Sequence, residues 1–196
     1  MITRSRNTAR RRASKHRPSH LRSAIVIVAA IGLAVTASDE WRGWVDSLLG
    51  GGPAPRADQV SVAGIARIID GDTLHIQETR IRLFGIDAPE GKQTCRIGGV
   101  DRACGEDATT ALRRHVGGDP VTCRHRDTDR YGRMVAECFA RGENLNAWMV
   151  RQGWAVAYRR YGGNIFDAEE TAARTARQGI WAGEFVMPWD WRQGAR

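Results

Sequence analysis

Apolar and polar residues alternate with a period of two on either side of residues 77–80, which predicts a pair of strands. Leu74 and Ile76 share one face, with Thr73 and His75 on the other; Ile81 and Leu83 alternate with Arg82 and Phe84. Gln77-Glu78-Thr79-Arg80 suits only a hairpin turn. Antiparallel pairing across it sets Leu74 and Ile76 against Ile81 and Leu83, and a one-residue slip would expose one of these faces. That pairing brings Asp72, where the first strand starts, to the end where Asp87 leaves the second.

Further strands are expected over 59–69, 120–126 and 133–140, the last two flanking the turn at 127–132. Helical periodicity appears where Glu106 and Asp107 precede Ala108, Ala111, Leu112 and Val116, and Gly117-Gly118 stops the run. A second helix over 143–153 carries Leu145, Trp148 and Met149, and a third over 164–179 turns Phe166, Ala173 and Ala176 inward. Residues 91–102 read as a polar loop. Ile180, Trp181 and the run 186–191 form an aromatic tail expected to clasp the folded body.

Charge changes the picture less than its total suggests. The formal net charge is +8, but Arg4, Arg6, Arg10, Arg11, Arg12, Lys15, Arg17 and Arg22 precede every acid in the chain. Those eight come out of 30 basic residues, so 22 remain against 22 acids and the body is formally neutral. Phosphate binding must therefore come from local arrangement. Behind the basic residues 1–22 lies an apolar segment, 23–38, whose core from Ala24 to Ala37 spans roughly 21 Å as a helix. That is short of a hydrocarbon layer of ~30 Å. Val35-Thr36-Ala37 suits a cleavage site, whereas Trp41 and Trp44 suit interfacial anchors. Both a cleaved signal and an uncleaved single-pass anchor stand as readings; each puts the folded domain outside the cytoplasm, membrane-tethered, periplasmic or secreted. Residues 39–58 end in Gly-Gly-Gly-Pro-Ala-Pro and read as a linker, so a domain is expected over 59–192.

Two carboxylates at one sheet end repel, and one takes up a proton unless a cation intervenes. A hard divalent ion such as Ca²⁺ accepts carboxylate and carbonyl oxygens in a loose shell. Glu90 follows Asp87 by three residues, past Ala88-Pro89, and reaches the same pocket; Arg82 adds a planar fork of donors suited to phosphate oxygens. Asp70-Gly71 reads as a turn, with Asp70 a turn residue rather than a ligand. Of three possible cysteine pairings, Cys123 with Cys138 and Cys95 with Cys104 needs the least chain movement: a turn centred between Arg130 and Tyr131 makes the first two face each other. Four free buried thiols are the alternative. No Cys-x-x-Cys spacing supports zinc.

Three separated motifs, Asp70-Gly71-Asp72-Thr73, Arg82 through Glu90 and Asp129-Arg130-Tyr131-Gly132-Arg133, resemble in order those of the thermonuclease, or staphylococcal-nuclease-like, family over residues 59–192. The resemblance implies an α+β, mainly β fold: a five-stranded OB-type barrel with three helices. It implies a Ca²⁺-dependent nuclease that hydrolyses DNA and RNA to 3′-phosphate ends, acting as a monomer. Asp72 and Asp87 match the calcium carboxylates, and Ala88 stands where the family often has threonine and a backbone carbonyl can serve. Glu90 matches the residue that orients or deprotonates water, and Arg82 and Arg133 the clamps on phosphate. Tyr131, Tyr161 and Arg159 fall at substrate-binding positions, although Arg159 stands where the family has a second tyrosine, with Tyr158 beside it. The competing readings are a non-catalytic OB-type module that binds nucleic acid or protein at the envelope, and a structural envelope protein with an aromatic contact surface. A pure binder has no need of an acidic pocket that repels phosphate, so Asp72, Arg82, Asp87, Glu90 and Arg133 occurring together separate it from the nuclease.

Overall fold

The computed structural model describes residues 61–195. The basic segment 1–22, the apolar segment 23–38 and the linker 39–58 lie outside the described residues. Among the described residues no helix is long and apolar enough to cross a membrane.

Strands β1 (Val62–Ile68), β2 (Thr73–Ile76) and β3 (Thr79–Leu83) form an antiparallel meander. β7 (Pro120–Thr128) pairs with β1, and β8 (Met134–Ala140) pairs with β7. A parallel pairing of β8 with β3 closes the five strands into a barrel, so no long edge remains among them. The expected α+β, mainly β barrel is therefore present. Leu74, Ile76, Ile81 and Leu83 are all buried, each worth about 1.5–3 kcal/mol in transfer from water.

The β2–β3 hairpin is tighter than its sequence suggested. Ile76 pairs with Thr79 and Leu74 with Ile81, so only Gln77 and Glu78 turn the chain. Gln77 takes a left-handed φ of 52°, as tight two-residue hairpins require. Because the register shifts by two residues, the same side chains face inward and the carboxylates keep their end.

Helix α1 (Cys104–Val116) lies where expected, with Leu112 and Val116 in the core, Ala111 only half-buried, and Gly117 at φ 63° ending it. α2 (Leu145–Arg151) is shorter than expected: β9 (Glu143–Asn144) is a short strand on β8, and the Asn144 side chain accepts from the Ala147 N–H to cap the helix. α4 (Asp167–Thr175) follows a single helical turn, α3 (Arg159–Gly162). It stops at Ala176, which is exposed rather than inward-facing as expected.

The largest departure is at 91–102, read as loop. β5 (Cys95–Ile97) and β6 (Val100–Arg102) make a small hairpin turned by Gly98-Gly99, both at positive φ. Its strands, three residues each, are too short for alternation to show, and it is held from outside. Arg96 exchanges two backbone hydrogen bonds with Glu184, and Cys95 is bonded to Cys104. Cys123 is bonded to Cys138, its direct cross-strand partner, so all four cysteines are paired as the spacing suggested. The tail packs Ile180 with Cys95, Cys104 and Val156 under Trp181, Phe185, Met187 and Trp189, which is the expected clasp.

Candidate functional site

Asp72 stands at the head of β2, opposite Leu83, whose N–H donates to its carbonyl at 2.8 Å. Asp87 ends β4 (Ile86–Asp87), a short strand held by β10 (Val156–Ala157). From the penultimate position of β3, Arg82 reaches both: Nη1 donates to Asp72 Oδ1 and Nη2 to Asp87 Oδ1, each at 2.7 Å. The second Asp72 oxygen accepts from the Ala88 N–H at 3.0 Å. The two acids thus converge as the strand pairing requires, and both are buried. Asp70 accepts from the Asp72 N–H at 3.0 Å, the turn contact expected of it.

A side chain outside every motif completes the cluster. Arg192, on the terminal helix α5 (Pro188–Arg192), donates from Nη2 to Asp87 Oδ2 at 2.8 Å and from Nη1 to Glu90 Oε1 at 2.6 Å. It stands 105 positions from Asp87 among tail aromatics, and no motif spacing marks it. Gln93, also unforeseen, is fully buried: its Oε1 accepts from the Glu90 N–H at 3.1 Å and its Nε2 donates to the Val186 carbonyl at 2.6 Å.

Electrostatically the pocket is short of positive charge. Asp70 is pushed up to about 6 by burial and then by the Asp72 charge. Burial also raises Asp87, with Asp72 adding to it against the pull of Arg192 and Arg82. For Arg82, burial alone would favour deprotonation, but Asp72 and Asp87 outweigh it and hold the guanidinium charged. Burial likewise opposes charge on Arg192, and its bonds to Asp87 and Glu90 overcome that.

Among the described residues no three Asp, Glu, His or Cys side chains close around one point. Guanidinium groups stand between the acids instead. The donor set nevertheless fits a hard divalent cation: two buried carboxylates share one guanidinium, a third acid lies on the loop beside them, and burial, with the Asp72 charge adding to it, raises Asp70.

The remaining expected residues lie elsewhere. Arg133 does not join the carboxylate cluster, because Asp129 in the same turn holds it: Nε donates to Oδ2 at 2.6 Å, and the Arg133 and Tyr131 N–H groups donate to Oδ1. Tyr131 is exposed, with the Arg130 and Arg133 guanidinium groups 4.8 and 5.7 Å from its ring centre. Arg159 pairs with Asp167 and Glu170 at 2.8 and 3.3 Å, which ties it to α4. Tyr158 stacks on Trp189 of the tail, 5.7 Å between centres, while the exposed Tyr161 lines a cleft of about 500 Å³ with Phe84, Arg126 and Phe166. Asp72, Asp87 and Glu90 do not line that cleft; its acids are Glu137 and Glu169.

Comparison with known proteins places this geometry in context. A family model described as "Staphylococcal nuclease homologue" matches residues 80–183. An "Uncharacterized endonuclease" of Escherichia coli O157:H7 is 36% identical over 135 residues, covering 65% of this chain and 82% of the relative. A "Micrococcal nuclease" of Shigella flexneri is 34% identical over 150 residues, 67% of this chain and 80% of the relative. A "Succinoglycan biosynthesis protein ExoI" of Rhizobium meliloti (strain 1021) is 35% identical over 123 residues; the match spans 61% of this chain and 64% of that relative, so about a third of the relative has no counterpart here.

Proposed function

The chain belongs to the staphylococcal nuclease family, and on that premise we propose that it is a nuclease that hydrolyses DNA and RNA with bound Ca²⁺, leaving 3′-phosphate ends. The observation that carries the reading is the bridge from Arg82 to both Asp72 and Asp87 at 2.7 Å. A binding module gains nothing from two buried acids beside a phosphate path.

Asp72, Asp87 and the Ala88 carbonyl are the ligands assigned to Ca²⁺, which when bound supplies positive charge beside the phosphoryl oxygens. Glu90, half-buried on the loop after Pro89, orients the attacking water and accepts its proton. Water adds to phosphorus in line and the bond to the 5′ oxygen breaks; that oxygen takes a proton from solvent water and leaves as a hydroxyl, so the phosphate stays on the 3′ side. Arg82 has five N–H donors, and those not spent on the carboxylates face charge growing on the equatorial oxygens. Arg133 serves the same charge once substrate competes with Asp129 for it. Tyr161 and Phe84 offer stacking surfaces for a base, a sequence-tolerant contact that suits both nucleic acids.

We also propose that the domain is exported, tethered or released. Paired cysteines persist in oxidising compartments, and the apolar segment behind eight basic residues suits a leader or anchor. Fully reduced cysteines in freshly alkylated cells would sink that part.

The test is digestion of single-stranded DNA and of RNA by the oxidised chain in Ca²⁺ or in chelator, beside Glu90→Ala. Digestion is expected only with Ca²⁺, with products that phosphatase treatment shifts at the 3′ end. Glu90→Ala lowers the rate by about 10²–10⁴-fold. Equal cleavage in chelator refutes the metal assignment, and no cleavage under any divalent cation leaves the binding module.

A further inference from the structure

The segment 184–195 lies beyond the residues that the family model matches, yet its Arg192 meets the pocket at Asp87 and Glu90. Glu90 sits on a turn rather than in a strand, with its side chain 41% exposed. A carboxylate so placed samples several rotamers unless something holds it. Arg192 holds it, donating at 2.6 Å to Glu90 and at 2.8 Å to Asp87 from a single planar guanidinium. One rigid fork therefore sets the spacing between the two acids.

The fork is itself fixed. Its helix follows a stretch bound to the Glu90 loop at two further places: Gln93 donates to the Val186 carbonyl, and Arg96 and Glu184 exchange backbone hydrogen bonds at 2.8 and 2.9 Å. Trp189 stacks on Tyr158, one residue past β10, which pairs with the strand carrying Asp87. Loop and tail thus form one unit, stapled to α1 by the Cys95–Cys104 bond.

We propose that Arg192 is a positioning residue for the hydrolysis: it holds the Glu90 carboxylate at a set distance from Asp87, so that the water-orienting group is in place before substrate arrives. This rests on the nuclease reading above. Holding Glu90 matters to the rate rather than to substrate affinity, since the contact is to the base and not to the nucleic acid.

The experiment uses the full oxidised chain with Arg192→Ala and Arg192→Lys. With Ca²⁺ and a single-stranded DNA substrate, Arg192→Ala is expected to lower kcat by about 10- to 100-fold, the usual loss when an outer partner of a site residue is removed. KM stays within about twofold, which marks loss of a transition-state contact. Arg192→Lys restores only part of kcat, and added guanidinium ion rescues Arg192→Ala but not a Trp189→Ala variant. A rise in KM at constant kcat would instead make Arg192 a substrate contact and overturn the proposal, as would an unchanged kcat. A second readout needs no metal: in chelator, the melting shifts of Arg192→Ala, Glu90→Gln and the double variant are non-additive if the pair is coupled. Additive shifts overturn the positioning role. A wild-type chain that cleaves nothing while the shifts remain non-additive would defeat the nuclease reading and the catalytic role with it, and leave the contact standing.

Discussion

Asp129 takes three hydrogen bonds from Tyr131 and Arg133 and so decides where the Arg133 guanidinium rests. Burial works to raise its carboxyl, but the bonds from the Arg133 N–H, the Arg133 side chain and the Tyr131 N–H outweigh it, and the group falls below its ordinary 3.8. A depressed carboxyl contributes stability that is fully present above the unfolded value and is lost as pH falls through the folded one. Unfolding by urea between about pH 3 and 5 should therefore show an acid-side loss in the wild type that is smaller in Asp129→Asn. An identical slope in both would place the acid sensitivity elsewhere. At this scale the sequence carried Asp72, Asp87, Glu90 and Arg82 correctly to one place, because strand pairing and a short loop determine their positions. It did not foresee the capture of Arg133, since i to i+4 pairing within a turn depends on backbone angles that residue types alone do not specify.

At the level of elements, α1 starts against the Glu90 loop, and Gly105 is where the two backbones touch. A Cβ at that position would collide with the Glu90 carbonyl oxygen, and the Gly105 N–H donates to the Gln93 carbonyl at 3.2 Å. Gly105→Ala must push the loop away from the helix. Its cost is that of overpacking, about 1–3 kcal/mol by denaturant unfolding, and cleavage should fall about tenfold or more, because Glu90 moves with its backbone. A variant with normal cleavage would detach the loop position from the chemistry. The barrel strands and α1 were legible because period two and period 3.6 are strong over their lengths. The β5–β6 hairpin was not: three residues per strand carry no pattern, and only Gly98-Gly99, a turn-forming pair, hinted at it. The α4 boundary slipped because Asn164, a residue type that caps helices well, does not cap this one: the helix begins three residues later at Asp167, behind Phe166, which has no side-chain acceptor.

Over the whole molecule, two disulfides divide the labour. Cys123–Cys138 ties the long β7–β8 hairpin across 15 residues, and a loop of that size gains about 3 kcal/mol from closure. Cys95–Cys104 instead anchors the hairpin on which the tail, and with it Arg192, is docked. Replacing Cys123 and Cys138 by serine should lower the melting temperature with little change in kcat measured well below it, whereas replacing Cys95 and Cys104 should lower kcat as well. Equal effects from both pairs would contradict that division. Docking of the tail depends on contacts between residues about 90 to 105 positions apart, beyond the reach of any local pattern, and so the part of the site it supplies was not legible.

What the pocket asks for is positive charge, since its acids outweigh the two guanidinium groups that touch them. Calorimetric titration of Ca²⁺ into the oxidised chain, beside Asp87→Asn, measures that demand without reference to any substrate. One ion bound per wild-type chain and none by the variant is the predicted result; no heat in the wild type, or the same heat in both, would contradict it.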